Sequence, residues 1–292
     1  MRSITAIAPA KLNLTLEVLG KRPDGYHDIR SVFLAVTLAD ELEFAPRGDG
    51  RIVLDCNDPH LPVDERNLVV KAALLLRDAC RLPAASGAGI TVRKNVPVGA
   101  GLGGGSSDAA TALLALNKLW GAGASRGEIA ELGAQIGSDV PFFVLARAAL
   151  VTGRGEHIEP QTFPHQHHFV VVYPGFPVST AWAYRSLRSG LTNGPEYSKI
   201  LLSHCLNGEG PERLAQFFHN DFEPTVVRQH PQIAQAKGDL AAAGALGVMM
   251  SGSGSAVFGI FPDAAAAQAG LRQTRQRWPR SYACASLRDP IE

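Results

Sequence analysis

Pro97-Val-Gly-Ala-Gly-Leu-Gly-Gly-Gly-Ser-Ser-Asp108 is the stretch whose reading decides the fold of this 292-residue chain. It holds five glycines in seven positions and then two hydroxyls. A strand-like segment, Ile90-Thr-Val-Arg-Lys-Asn-Val96, leads into it, and a helix-like run, Ala109 to Trp120, leaves it. Glycine lets a backbone take positive φ and come close to a ligand. Ser106 or Ser107 is expected to cap the helix. The helix start then offers free N–H groups and partial positive charge, which together form a phosphate cradle.

Two familiar phosphate loops fit less well. No Lys-Ser/Thr pair follows the glycines, as a Walker A loop requires; Gly105-Ser106 stands there. Gly99, Gly101 and Gly104 satisfy G-x-G-x-x-G, but the dinucleotide version needs a second strand ending in an acidic residue about 20 positions on. Here Glu128 and Glu131 fall in Ser125 to Ile136, which reads as a helix, so NAD is disfavoured. A ligand-free flexible turn is the bland alternative, and so many glycines would destabilise it without return.

Composition bounds the rest. Hydrophobic residues make up 46% and charged residues 19%, enough apolar material for globular cores. A net charge of +1 gives no pull towards nucleic acid or an anionic membrane. The apolar runs Phe169 to Tyr173 and Ala241 to Met250 are too short to span a bilayer, and the N-terminus lacks an apolar run of secretory length. Cys56, Cys80, Cys205 and Cys284 form no C-x-x-C, which points to free thiols in a reducing cytoplasm. Nothing separates a monomer from a homodimer.

Strands are expected over Thr5 to Leu19, Ile29 to Leu38, Leu42 to Phe44 and Arg51 to Leu54, then a helix capped by Asn67. After Gly153-Arg-Gly-Glu156 the character changes, and Glu159 to His168 reads as a linker. The second half then alternates helices and strands, with Asp263 capping one helix. Strands clustering ahead of helices favour two α+β lobes over a TIM barrel or a doubly wound sheet. The expected division is residues 1–156 and 157–292, with the ligand cleft between the lobes.

Four features could carry chemistry. Lys11 lies in an apolar stretch with no acidic neighbour before Glu17, so it should point to a cleft or to solvent. Asp139, in Gly137-Ser-Asp-Val-Pro141, reads either as a turn or N-cap aspartate or as a carboxylate aimed at a reacting hydroxyl. Asp24-Gly25 is a turn signal, and Tyr26 and His27 beyond it can stack on and hydrogen-bond a base. Ser251-Gly-Ser-Gly-Ser255 is a second glycine turn, between two strands, and reads as a hairpin. His165-Gln-His167-His168 lacks a companion ligand cluster and reads as a surface loop. Asn220-Asp-Phe-Glu223 reads as a helix-start cap.

Pro9-Ala-Lys-Leu-Asn13, Gly25-Tyr-His27, Pro97 to Ser107, Gly137 to Phe142 and Met250 to Gly254, in that order, resemble the GHMP small-molecule kinases. The resemblance runs from near the N-terminus to about Phe261. The segments Ala10-Lys-Leu-Asn-Leu14 and Arg22 to His27 narrow it to the branch acting on a cytidyl diphosphate of methylerythritol, in non-mevalonate isoprenoid biosynthesis. It implies an N-terminal mixed α/β lobe, a C-terminal ferredoxin-like lobe and an active site between them. It also implies ATP as co-substrate, with Mg²⁺ on its phosphates. Lys11 and Asp139 would be catalytic. Pro97, Val98, Gly99, Ala100, Gly101, Leu102, Gly103, Gly104, Gly105, Ser106 and Ser107 would bind ATP. Asn13, Tyr26, His27 and Tyr184 would bind the small-molecule cytidyl diphosphate substrate. The alternatives are a GHMP kinase for homoserine, mevalonate or a sugar, and a nucleotide-binding protein without activity.

Overall fold

Residues 4–47 form two long paired strands, β1 (Ile4–Lys21) and β2 (His27–Arg47), in a computed structural model that describes residues 3–187 and 194–288. Side chains alternate between the faces of a strand. Phe33 and Ala35 of β2 enter one core, while Val32, Leu34 and Val36 enter another. Both faces are covered, which is why Ile29 to Leu38 is almost continuously apolar. Leu42 to Phe44, expected as a strand of its own, continues β2.

The first lobe adds β3 (Ile52–Cys56), α1 (Leu68–Ala79), β4 (Gly87–Arg93), α2 (Gly104–Trp120), α3 (Arg126–Ile136), α4 (Val140–Leu145) and β5 (Ala148–Gly153). Asn67 caps α1 by accepting from the Val69 N–H at 2.9 Å. Ser125 and Glu128 close a reciprocal capping box on α3. β6 (His157–Gln161) follows residue 156 yet pairs with β5, so part of the expected linker is a strand of the first sheet. That sheet runs β3-β4-β2-β1-β8, with β5 on the other half of β2 and β6 beyond it; β8 is His219–Asn220.

Further along come β7 (His168–Val172), α5 (Thr180–Ser186), α6 (Tyr197–Leu206), α7 (Pro211–Ala215), α8 (Glu223–Gln229), α9 (Pro231–Ala242), β9 (Gly247–Met250), β10 (Val257–Phe261), α10 (Ala264–Thr274) and β11 (Ser281–Ala285). The strands form an antiparallel sheet in the order β11-β7-β10-β9. Taken with α9 and α10 this is the βαββαβ ferredoxin-like arrangement. Phe169, Val171 and Phe258 of this sheet share a core with Leu12, Leu14 and Leu34, and that contact joins the lobes. Each fully buried leucine there contributes roughly 1.5–3 kcal/mol relative to an exposed one.

Two smaller expectations are corrected. His167 is not on a surface loop: it is buried, its N–H donates to Ser286 Oγ at 2.9 Å, and burial lowers its pKa to about 4. Asn220 does accept from the Phe222 N–H at 2.9 Å beside α8, but its amide also donates to the Met250 and Gly252 carbonyls, both at 2.8 Å. It therefore braces the second glycine turn.

Candidate active site

The glycine loop joins β4 to α2, but neither serine caps the helix. The N-cap is Gly103, at φ +71°, and helical backbone begins at Gly104, so Ser106 and Ser107 lie within the first turn. A side chain at that φ would be strained, and a Cβ on Gly103 would lie 3.0 Å from Lys11 Cγ and 3.0 Å from the Phe143 ring, so both would have to give way. The Ser107 N–H donates to the Gly103 carbonyl at 2.9 Å, and the N–H groups of Gly104, Gly105 and Ser106 ahead of it have no intrahelical acceptor. Ser106 lines the cleft, whereas Ser107 is buried and its Oγ has no partner.

The second glycine turn packs onto the first. Ser251 Oγ donates to the Gly101 carbonyl at 3.0 Å, and the Ala256 N–H donates to the Ala100 carbonyl at 3.0 Å. Gly101 has φ +80°, and a Cβ there would meet the Ser251 carbonyl oxygen at 2.2 Å. Gly101→Ala should therefore destabilise the fold by about 1–3 kcal/mol and weaken ATP binding. Thermal melting and calorimetric titration measure both. An unchanged Tm would show that the loop adapts.

Lys11 projects from β1 beneath this loop. Its N–H donates to the Leu102 carbonyl at 2.9 Å. Its ammonium donates to Asn13 Oδ1, sits 4.8 Å above the Phe33 ring and lies 3.8 Å from Asp139 Oδ2. Burial lowers the Lys11 pKa, and the Asp139 charge partly offsets that. Asp139 sits at the N-cap position of α4, yet its side chain makes no cap hydrogen bond and is 31% exposed. The carboxylate is consequently open to the cleft.

A cleft of about 1080 Å³ gathers these groups. Every expected site residue except Ser107 lines it. Tyr26, His27 and Tyr184 stand together at one end. His27 stacks on Tyr184 with ring centres 5.0 Å apart, and Tyr184 meets Phe222 edge-on. Burial, then the Lys21 charge, lowers the His27 pKa, which leaves a neutral ring able to donate and accept. Burial, with Asp139 second, pushes the Tyr184 phenol up to about 12.

Some cleft residues carry no motif that sequence reasoning could use. The Arg154 guanidinium lies 4.9 Å from the Tyr26 ring, and Lys21, Arg154 and Arg185 bring positive charge to that end. Gly153-Arg-Gly-Glu156 stood out in the sequence only as a change of character. At the loop entrance, Lys94 donates to Asp40 and to Asp108 Oδ2, the latter at 2.6 Å. Asp40 in turn accepts from the Asn95 and Val96 N–H groups at 2.5 and 2.8 Å. Burial pushes Asp108 up to about 7 against the pull of Lys94. Thr180 and Ser253 hydroxyls, 2.9 Å apart, tie α5 to the second glycine turn.

A glycine-led helix start, beside a buried lysine and an open carboxylate, is the arrangement of a small-molecule phosphotransferase. Comparison with known proteins agrees. Residues 67–147 match the GHMP kinases N terminal domain and residues 206–280 the GHMP kinases C terminal domain. A 4-diphosphocytidyl-2-C-methyl-D-erythritol kinase of Pelotomaculum thermopropionicum is 44% identical over 279 residues, 95% of this chain and 94% of the relative. One of Acaryochloris marina is 38% identical, over 89% and 87%. A crystal structure of 4-(cytidine 5'-diphospho)-2C-methyl-D-erythritol kinase superposes with a TM-score of 0.82 at 36% identity, covering 97% of this chain and 99% of that one. The chain belongs to the 4-diphosphocytidyl-2-C-methyl-D-erythritol kinase family of GHMP kinases. A homoserine kinase of Cytophaga hutchinsonii, at 20% identity and a TM-score of 0.79 over 99% and 96% of the two chains, shares the fold.

Proposed function

We propose that this kinase moves the γ-phosphoryl group of ATP to the 2-hydroxyl of 4-diphosphocytidyl-2-C-methyl-D-erythritol, giving the 2-phosphate and ADP. One observation carries the reading: Lys11 and Asp139, 3.8 Å apart, sit between the glycine loop and the aromatic end of a single cleft. ATP lies with its phosphates on the loop amides and the α2 N-terminus. The acceptor hydroxyl approaches Asp139, which takes its proton as the new P–O bond forms and the β,γ-bridge bond breaks. Lys11 stabilises the charge on the transferring phosphoryl.

Mg²⁺ is part of the proposal. Among the described residues no three His, Cys, Asp or Glu side chains are grouped to hold a metal ion. What the cleft offers beside the loop is a hard oxygen donor, the Ser106 hydroxyl. That suits Mg²⁺, which keeps several waters and binds largely through phosphate oxygens. Ser106 would hold it, and the ion would neutralise phosphate charge when bound.

At the far end, Tyr26 flanks the cytosine, His27 reads its polar edge and Tyr184 backs the His27 ring, while Lys21 and Arg154 answer the substrate diphosphate. His27→Ala should raise KM for the cytidyl substrate about tenfold or more, with little change for ATP. Steady-state kinetics with each substrate varied in turn decides it, and equal effects on both would sink the assignment. Among the described residues all four cysteines are free and no helix is long and apolar enough to cross a membrane. The free thiols suit the reducing cytoplasm we propose for the enzyme.

A further inference from the structure

Polar side chains recur at every second position of β1: Lys11, Asn13, Thr15 and Glu17, all buried. Burying them is costly unless each finds a partner. Asn13 Oδ1 accepts from the Lys11 ammonium, and Asn13 Nδ2 donates to Ser31 Oγ at 2.9 Å. Ser31, on β2 and fully buried, donates its single hydrogen to the Thr15 carbonyl. Its oxygen can then only accept at Asn13.

This matters because a carboxamide has two nearly isosteric orientations. Flipped, Asn13 would turn its NH₂ towards the Lys11 ammonium, donor against donor. Ser251 Oγ lies 3.5 Å from Asn13 Oδ1, at the limit of a hydrogen bond, and has the Gly101 carbonyl as a closer acceptor at 3.0 Å. The amide is thus held from both ends, its oxygen on the Lys11 ammonium and its NH₂ on Ser31, and Ser31 is the end that does not depend on the charge of Lys11. Ser31 is itself held: Thr15 Oγ1 accepts from the Val32 N–H at 3.0 Å and meets Ser198 Oγ at 2.7 Å. The Ser198 N–H donates to Glu17 Oε2 at 3.0 Å, and Glu17 is clamped by Arg30. The chain of bonds runs from the lysine to α6.

We propose that Ser31 is a positioning residue for phosphoryl transfer, fixing the Asn13 carboxamide with its oxygen on Lys11 so that the cation stays aimed at the transferring group. The proposal rests on the reading of Lys11 given above. Asp139, at the head of α4, is the charged group facing Lys11. Tyr184 on α5 and His27 on β2 are the titratable groups beyond it.

A double-mutant cycle on kcat tests it, with Ser31→Ala, Asn13→Ala and the pair together. Ser31→Ala should lower kcat about tenfold or more with KM for ATP unchanged, and in the Asn13→Ala background it should cost less than twofold. The alkaline limb of the kcat–pH profile should also move to lower pH in Ser31→Ala, because losing an acceptor disfavours the charged lysine. A merely structural role would lower Tm and leave that limb in place. Equal losses in both backgrounds, or an unmoved limb, overturn the proposal. Should Ser31→Ala fail to fold by circular dichroism, Ser31→Cys, close in size and a much weaker acceptor, carries the same cycle. Lys11→Met is run alongside. Its turnover, if retained, brings down the reading of Lys11 itself; if lost while the cycle is additive, only the role of Ser31 falls.

Discussion

Replacing Asp139 by Asn should leave ATP binding intact and lower kcat at least ~100-fold, the range for removing a general base. The shape of the side chain is kept, and no cap hydrogen bond is lost, because Asp139 makes none. The head of α4 therefore keeps its bonds, but buried Lys11 loses the opposite charge that offsets its burial, so a modest fall in Tm is expected and binding must be read apart from chemistry. What disappears is the carboxylate that faces Lys11 across 3.8 Å and opens to the cleft. Calorimetric titration with ATP and single-turnover phosphoryl transfer separate binding from the chemical step. Near-normal turnover would refute the role of Asp139 as base.

Lys11→Met is the second large effect. The methionine keeps the length of the chain and removes the charge. Removing one preorganised group that stabilises developing charge typically costs 10²–10³ in kcat, and that loss is expected here. Stability should change less than turnover. Lys11 is 4% exposed, and burial already disfavours its charged form, a cost that methionine removes. Against that, Asn13 Oδ1 loses its ammonium donor, which costs about 1–3 kcal/mol, while Asp139, 31% exposed, is rehydrated. A Tm close to that of the parent with lost turnover is thus the expected pair, and lost turnover with a collapsed Tm would assign Lys11 to the scaffold instead.

Much of this molecule is legible in its sequence, for identifiable reasons. Asn67, Ser125 and Asp263 cap helices as their types predict, because capping is a local interaction between a side chain and the next turn. The glycine loop is legible as a tight strand-to-helix turn because glycine suits the positive φ of Gly101 and Gly103 so close to other atoms. Ser106 and Ser107 misled for the same reason: with Gly103 as N-cap the helix starts earlier than a serine-first reading allows. His167 looked like surface and is buried because strand pairing further down the chain, at Ser286, covers it.

Other features were present in the sequence and needed the fold to mean anything. Lys11-x-Asn13-x-Thr15-x-Glu17 has the period of a strand, but a polar stripe usually marks a solvent face. Here Ser31 and Ser198 close over it from β2 and α6. Likewise Asn220 is 30 residues from Met250 and braces the second glycine turn only because β8 lies beside β1. Arg154 belongs to no motif and reaches the cleft through the bend after β5. Long-range pairing of this kind leaves no periodic mark on the chain.

The measurement that bears most directly on the account is phosphorus NMR of a reaction containing ATP, Mg²⁺ and 4-diphosphocytidyl-2-C-methyl-D-erythritol, with homoserine and mevalonate in parallel. One new phosphomonoester resonance, growing with ADP, is expected in the cytidyl reaction alone. A new monoester only from homoserine or mevalonate, or none from the cytidyl substrate while ATP binds, would contradict it.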